Sequence, residues 1–141
     1  MAGRTFFNRV VCLLEWAPDQ APSGSTRAAE GMLRAWAELA PSAGSMAAPA
    51  PLVLIGSAPT ALEILLQRVE TGAAAAPSLL IGMPVGFVGV AESKRRLAQT
   101  GLDHIRLEGS RGGAGLVAAA CNALLRAGWL AAESTRSPSP V

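Results

Sequence analysis

The sequence predicts an α/β domain in which helices cover both faces of a mostly parallel sheet. Short apolar runs alternate with helical patterns along the chain, an order typical of successive βαβ units. One unit occurs twice, because residues 51–59 (PLVLIGSAP) and 77–84 (PSLLIGMP) both lead from an apolar strand through glycine to a proline and a helix. Parallel strands share a carboxyl edge, where α/β proteins bind ligands, so we expect both glycine loops on that edge.

The first third of the chain contains a predicted strand and a predicted helix. The strand is indicated by the apolar run within residues 9–14. Ser25 or Thr26 can cap the helix that follows, because a hydroxyl accepts a hydrogen bond from a free backbone N–H. That helix runs to about residue 40, since its apolar residues recur at helical spacing: Ala28, Met32, Ala35, Trp36 and Leu39. Residues 40–51, rich in Ala, Pro, Ser and Gly, predict a flexible loop.

The middle of the chain carries a strand and a helix with clear boundaries. Leu52–Ile55 has no polar residue, as a strand buried on both faces requires. Pro59 stands in the first turn of the next helix, where proline is tolerated. Gly72 ends this helix, because glycine readily adopts the left-handed conformation of a C-cap. Its apolar stripe consists of Leu62, Leu65, Leu66 and Val69.

The last third continues the alternation of strands and helices. The predicted elements are a strand at 79–82, a helix at 90–99, a strand at His104–Leu107 and a helix at Leu116–Ala127 closed by Gly128. The order β-α-β-α-β-α-β-α predicts a doubly wound, flavodoxin-like domain of three layers over residues 1–130. Residues 131–141, with two Ser-Pro pairs, predict a disordered tail.

Composition excludes several classes of protein. Half of the 141 residues are hydrophobic and 16% are charged, which suits a sheet covered on both faces, a subunit interface, or both. A net charge of +2 with scattered basic residues does not favour nucleic acid. Cys12, Cys121 and a single histidine give neither a disulfide framework nor a metal site, and we expect both thiols to be buried. The apolar runs are too short for a membrane span or a signal peptide, so we expect a cytoplasmic protein.

Two features of the sequence favour binding of an anion. The loop Gly109–Gly115 places flexible backbone N–H groups and Arg111 at the start of a helix. The same glycines also suit a tight strand-to-helix turn, and the loop matches neither dinucleotide- nor mononucleotide-binding patterns. Arg27 lies in the first turn of a helix, where a cation gains nothing from the helix dipole. It either reaches for an anionic ligand or is a solvated arginine.

Four further residues of chemically active types are not expected to form a catalytic site. His104 starts a strand, at the amino edge of the sheet and away from the glycine loops, so we expect a surface or half-buried histidine. Ser93 has no histidine base near it and no nucleophile-elbow pattern, which argues against a serine hydrolase. Glu92 and Lys94 look like an exposed, unremarkable helix start.

The loops resemble those of the precorrin-8X methylmutases of cobalamin biosynthesis. That family carries GNAPTAL and PVGFVGAAESK, which residues 56–62 match except at Ser57 and residues 84–94 match except at Val90. A GNTR-type helix start corresponds to residues 24–27, and a terminal GR-x-GGS…LNAL pattern corresponds to residues 109–124. The motifs keep the family's order and cover about residues 9–127.

The resemblance implies an isomerase that moves a methyl group from C-11 to C-12 of a ring-contracted tetrapyrrole. The product is hydrogenobyrinate or its cobalt equivalent, no separate cofactor is needed, and the family works as a homodimer. The resemblance places a flat, carboxylate-fringed macrocycle against twelve residues, among which Arg27 matches the family's substrate-binding arginine. They are Thr26, Arg27, Ser57, Pro59, Thr60, Gly86, Phe87, Val88, Gly89, Arg111, Gly112 and Gly113.

The family's acid histidine lies in an N-terminal segment to which nothing in this chain corresponds. His104 does not align with it, so the sequence offers no catalytic residue of its own. The chain is then the C-terminal part of a methylmutase, either truncated or one half of a split enzyme. The alternative is a catalytically dead module that binds a tetrapyrrole or only serves dimerisation. A third reading is a degraded gene product that folds poorly, because the lost segment leaves apolar surface exposed.

Overall fold

The computed structural model describes residues 2–40 and 49–136. Three strands form one parallel sheet in the order β1-β2-β3: β1 is Leu52–Ile55, β2 is Leu79–Gly82 and β3 is His104–Arg106. The helices are α1 (Ala2–Thr5), α2 (Arg27–Leu39), α3 (Pro59–Glu70), α4 (Val90–Gln99) and α5 (Ala114–Arg136), with a 3-10 helix at Leu13–Trp16. In the register, Leu80 pairs with Val53 on one side and with His104 on the other.

Helices pack on both faces of this sheet. One face meets α2, α3 and α4 in the larger apolar cluster: Met32, Trp36, Val53, Ile55, Ala61, Leu62, Leu65, Leu66, Leu80 and Leu97. The other face meets α5, whose Val117 and Cys121 pack against Ile81 and Met83. The predicted α/β class, with a parallel sheet between two helical layers, is confirmed.

Local sequence signals account for the boundaries of α2 and α3. Thr26 caps α2, because its hydroxyl accepts a hydrogen bond from the backbone N–H of Ala29 at 3.1 Å. Trp36, in the last turn of α2, is buried and donates its indole N–H to the carbonyl of Ala75 at 3.0 Å. Pro59 is the first residue of α3, and Gly72 just beyond its end has φ +71°, as the sequence predicts.

A charged cluster holds α3 and α4 side by side. The Arg96 guanidinium of α4 pairs with Glu63 and, at 2.6 Å, with Glu70, both on α3. All three side chains are partly exposed, so each pair contributes at most about 1 kcal/mol to stability. The cluster therefore fixes the relative position of two helices that the apolar core already holds together.

The strand predicted at residues 9–14 is wrong. Residues 9–12 form no regular element, Val10 is 67% exposed, and Leu13–Trp16 is a 3-10 helix. The carbonyl of Leu13 lies 2.5 Å from where a Cβ on Gly31 would stand, so this segment packs on α2 instead of on the sheet. Strand propensity in Val10 and Val11 decides nothing here, because strand residues need a neighbouring strand to pair with.

The end predicted for α5 is also wrong. The helix continues through Gly128 to Arg136, because the alanines and leucine after Gly128 are strong helix formers that offset a cost of about 1 kcal/mol for one glycine. Residues 131–136 of the predicted tail are therefore helical, whereas residues 137–141 lie outside the described residues, as do residues 41–48 of the predicted loop.

Helix α5 is longer than the helix predicted from the sequence, and its length is relevant to the expectation that every apolar run is too short to span a membrane. Among the described residues, α5 is the one helix long and apolar enough to cross a bilayer, judged by length and composition alone. Its first turns nevertheless belong to the domain, because Val117 and Cys121 are buried against the sheet. Beyond them Leu124, Trp129 and Leu130 are about half exposed.

The start of α5 lies directly against the end of β1. A Cβ added to Gly56, the residue after β1, would stand 2.6 Å from the backbone N and Cα of Ala114, the first residue of α5. Gly56 does not have a positive φ, so glycine is needed there for space and not for backbone conformation. This contact brings the N-terminus of α5 to the carboxyl edge of the sheet.

The Gly56→Ala variant tests this contact. We expect its free energy of unfolding to fall by about 1–3 kcal/mol, because the opposing atoms are backbone and cannot move aside cheaply. Urea denaturation followed by circular dichroism measures the change. The matched control is Gly128→Ala, inside α5 with no atom within 4 Å of the new Cβ, which should gain about 0.5–1 kcal/mol. A Gly56→Ala protein as stable as the wild type would contradict the assignment.

Candidate functional site

The carboxyl edge of the sheet gathers the starts of four helices. The loops after β1, β2 and β3 lead into α3, α4 and α5, whose first residues are Pro59, Val90 and Ala114. The start of α2 joins them, because the hydroxyls of Thr26 and Thr60 lie 2.7 Å apart. Helix N-termini carry unpaired N–H groups and the positive end of the helix dipole, so this edge favours negative charge.

The first group of predicted site residues lies at the starts of α2 and α3. Thr26 and Thr60 are in contact, and Pro59 begins α3 two residues after the exposed Ser57. Arg27, also exposed, donates from Nε to the carbonyl of Pro18 at 3.0 Å. That bond fixes the Nε end of the guanidinium and leaves Nη1 and Nη2 available to a ligand.

The second group lies in the loop between β2 and α4. Phe87 and Val88 stand in solvent, 94% and 90% exposed. Gly86 and Gly89 have φ of +135° and +70°, and Gly89 caps α4 in the left-handed conformation. Side chains rarely adopt these angles, so the glycines of the PVGFVG motif are needed to turn the chain and to expose Phe87 at its tip.

The third group lies in the loop between β3 and α5, which packs on the loop after β2. A Cβ on Gly112 would stand 2.0 Å from the carbonyl oxygen of Met83, and Gly113 donates its N–H to that same oxygen at 2.9 Å. Gly86 donates to the carbonyl of Ser110 at 3.4 Å. These contacts agree with a tight strand-to-helix turn, and the loop leads into the N-terminus of α5.

An open cleft of about 450 Å³ is lined by these two loops and by Leu116 of α5. Phe87 and Leu116 supply apolar surface to it, and Arg111 supplies a positive charge. Within the described ranges neither Arg27 nor Arg111 forms an ion pair with a carboxylate. The edge therefore offers guanidinium groups without a carboxylate partner, helix N-termini and exposed apolar surface, which together favour an anionic ligand with an apolar part.

The prediction that Lys94 belongs to an exposed, unremarkable helix start is wrong. It is 1% exposed, and its ammonium donates to the carbonyl of Gly109 at 2.8 Å and to the carbonyl of Arg111. Burial lowers the pKa of Lys94 below its usual value, and the nearby Arg106 cation lowers it further. The helical spacing of the sequence could have predicted this burial, because Lys94 falls on the buried stripe of α4 between Val90 and Leu97.

The remaining candidates carry no chemistry at this edge. His104 is half-buried at the amino end of β3, with Nδ1 2.8 Å from the carbonyl of Leu102, away from the glycine loops as predicted. Ser93 is buried and donates to the carbonyl of Val90 at 3.0 Å. Cys121 is buried as expected, but Cys12 is exposed, because its segment does not join the sheet. Across the described residues no three metal-binding side chains come together.

Comparison with known proteins identifies the family. Residues 1–127 match the family model for precorrin-8X methylmutase. The chain is 40% identical over 126 residues to the cobalt-precorrin-8 methylmutase of Synechocystis sp., covering 89% of this chain and 53% of that protein. It is 44% identical over 122 residues to the precorrin-8X methylmutase of Pseudomonas aeruginosa, covering 83% and 54%.

A solved structure agrees with these relatives. The precorrin-8X methylmutase of Thermus thermophilus superposes with a TM-score of 0.70 and 36% identity, over 97% of this chain and 61% of that one. The chain thus spans about half the length of the curated relatives it matches. On the family match over residues 1–127, together with these relatives, the chain belongs to the precorrin-8X methylmutase family.

Proposed function

We propose that this chain is the substrate-binding part of a precorrin-8X methylmutase. The reaction moves a methyl group from C-11 to C-12 of a ring-contracted tetrapyrrole and gives hydrogenobyrinate or its cobalt equivalent. One observation carries the proposal: the family match covers residues 1–127, which include every helix start at the carboxyl edge. The chemistry of that edge, described above, is the chemistry that a macrocycle with carboxylate side chains requires.

The charged groups of the edge support this choice of ligand. A carboxylate bound by a guanidinium gains a charge-assisted hydrogen bond, commonly a bidentate one. Arg27 is the first residue of α2 and Arg111 lies three residues before the start of α5, so each places a positive charge near the positive end of a helix dipole. Two cations in separate segments suit a ligand with several carboxylates around its rim.

The apolar groups of the edge support the flat body of the ligand. Phe87 is almost fully exposed, and the loop that carries it is packed against the close-fitting glycines of the next loop. Its ring therefore faces solvent, where a ligand can cover it. Covering such a side chain contributes roughly 1.5–3 kcal/mol. A macrocycle face laid on Phe87 and Val88 would recover that free energy.

The acid step is proposed to come from outside these residues. The histidine of this chain, His104, lies at the amino edge of the sheet, at the opposite end from the glycine loops. The resemblance places the family's acid histidine in a separate N-terminal segment. This chain would then bind and orient the substrate, while that segment protonates it.

The assembly is proposed to be a cytoplasmic homodimer, as the resemblance implies. Large apolar side chains on β1 and α5 support an interface, because Leu52, Leu54 and Trp129 are each between 41% and 50% exposed. Sedimentation equilibrium measures the oligomeric state directly. A folded protein that stays monomeric at micromolar concentration would argue against the dimer.

The Arg27→Ala variant tests the binding site. Titration of the purified chain with hydrogenobyrinate, followed by its visible absorption shift, should give a dissociation constant that the variant raises roughly tenfold to a hundredfold. Arg34→Ala is the matched control, because Arg34 is an exposed arginine two turns further along α2. Equal losses in both variants would indicate a general charge effect, and no binding by a folded wild type would refute the site.

Reconstitution tests the catalytic part of the proposal. The chain alone should convert precorrin-8X slowly, and addition of the N-terminal segment of the Pseudomonas aeruginosa relative should raise turnover by about 10²–10⁴-fold, the contribution of one general acid. The same segment with its histidine replaced by alanine is the control. Tight binding without turnover, even with the intact segment present, would make this chain a tetrapyrrole-binding module and not an enzyme.

A further inference from the structure

Lys94 is the one charged side chain buried among the described residues. It lies on the inner face of α4, and its ammonium reaches past the sheet end to the loop between β3 and α5. There it binds the carbonyls of Gly109 and Arg111. A buried ammonium is expensive unless it is hydrogen-bonded, so these two carbonyls are what make the burial of Lys94 possible.

The two bonds also fix the direction of two amide groups. In a planar trans peptide the C=O and the following N–H point in opposite directions, and the described residues contain no cis peptide bond. The carbonyls of Gly109 and Arg111 point at buried Lys94, so the N–H groups of Ser110 and Gly112 point away from it. Ser110, Arg111 and Gly112 all line the cleft described above.

Without Lys94 the two peptide groups after Gly109 and Arg111 lose the donor that fixes their orientation. Gly112 and Gly113 stay packed on the Met83 carbonyl, but Gly109 has no atom near the position of a Cβ, and Gly109 and Arg111 are exposed, so their carbonyls could rotate toward water. A carbonyl oxygen turned into the cleft would repel an anion. The orientation that favours an anion therefore depends on one side chain of a neighbouring helix.

We propose that Lys94 is a positioning residue, whose ammonium holds the carbonyls of Gly109 and Arg111 and thereby directs the amides of Ser110 and Gly112 toward a carboxylate of the ligand. The identity of that ligand rests on the proposed function. Lys94 itself does not touch the ligand, because its side chain is buried behind the loop whose carbonyls it binds.

If the role of Lys94 were purely structural, replacing it would lower the stability of the chain and its affinity for the ligand together. The electrostatics of Lys94 instead predict that stability is kept while affinity falls. Burial and the Arg106 cation lower the pKa of Lys94, so in the folded protein its charged form is less stable than in water. Since the folded pKa lies below the unfolded one, ionised Lys94 reduces the free energy of unfolding at neutral pH. An uncharged side chain of similar shape removes that penalty.

The Lys94→Met variant separates the two roles. We expect its stability in urea to equal or exceed that of the wild type, while its affinity for hydrogenobyrinate falls by about tenfold or more. Arg95→Met is the matched control, because Arg95 is an exposed neighbour on α4 whose partner is Glu92, and its affinity should stay unchanged. Equal affinity in Lys94→Met and wild type, or a loss of affinity that merely follows a loss of stability, overturns the proposal.

Amide spectra of the ligand-free chain test the positioning without any ligand. In ¹⁵N-labelled protein the signals of Ser110 and Gly112 should shift or broaden in Lys94→Met and stay in place in Arg95→Met. Unchanged signals in Lys94→Met overturn the positioning whatever the titration shows. Changed signals with no binding by the folded wild type instead overturn the proposed function, and with it the carboxylate ligand, so the two failures are distinguishable.

Discussion

Close approach of backbone to backbone at the carboxyl edge is the constraint on which the rest of the structure depends. A Cβ at Gly112 would come within 2.0 Å of the Met83 carbonyl, and one at Gly56 within 2.6 Å of the start of α5. Because these positions have no side chain, the loop after β1 lies against the start of α5, and the loops after β2 and β3 lie against each other around one cleft.

Much of this architecture follows from local signals in the sequence. The strands β1 and β2 and the helices α2, α3 and α4 are marked by uninterrupted apolar runs, a threonine cap, a proline in the first turn and glycine after the end. Such signals act within a few residues, so they can be recognised without a structure. The carboxyl-edge position of the glycine loops follows in turn from the parallel order of the strands.

The features that the sequence did not reveal depend on partners distant in the chain. Val10 and Val11 suit a strand, but whether they form one depends on a neighbouring strand with a free edge. Gly128 would end an isolated helix, yet the residues beyond it continue α5. Lys94 was misjudged because its charge outweighed its spacing, and only the carbonyls of a loop more than a dozen residues away explain its burial. The contact between Thr26 and Thr60 is likewise a tertiary fact.

The contact between Gly56 and Ala114 also has a consequence for the order of folding. The units β1-α3-β2 and β2-α4-β3 join neighbouring segments, so each closes a short loop. Docking of α5 on the end of β1 instead closes a loop of about sixty residues, and that larger entropy loss is recovered only once the sheet is in place. The last part of the domain to assemble is then the part that completes the cleft. A folding chain therefore forms its sheet before it has a binding surface, and an unfolding chain loses that surface first.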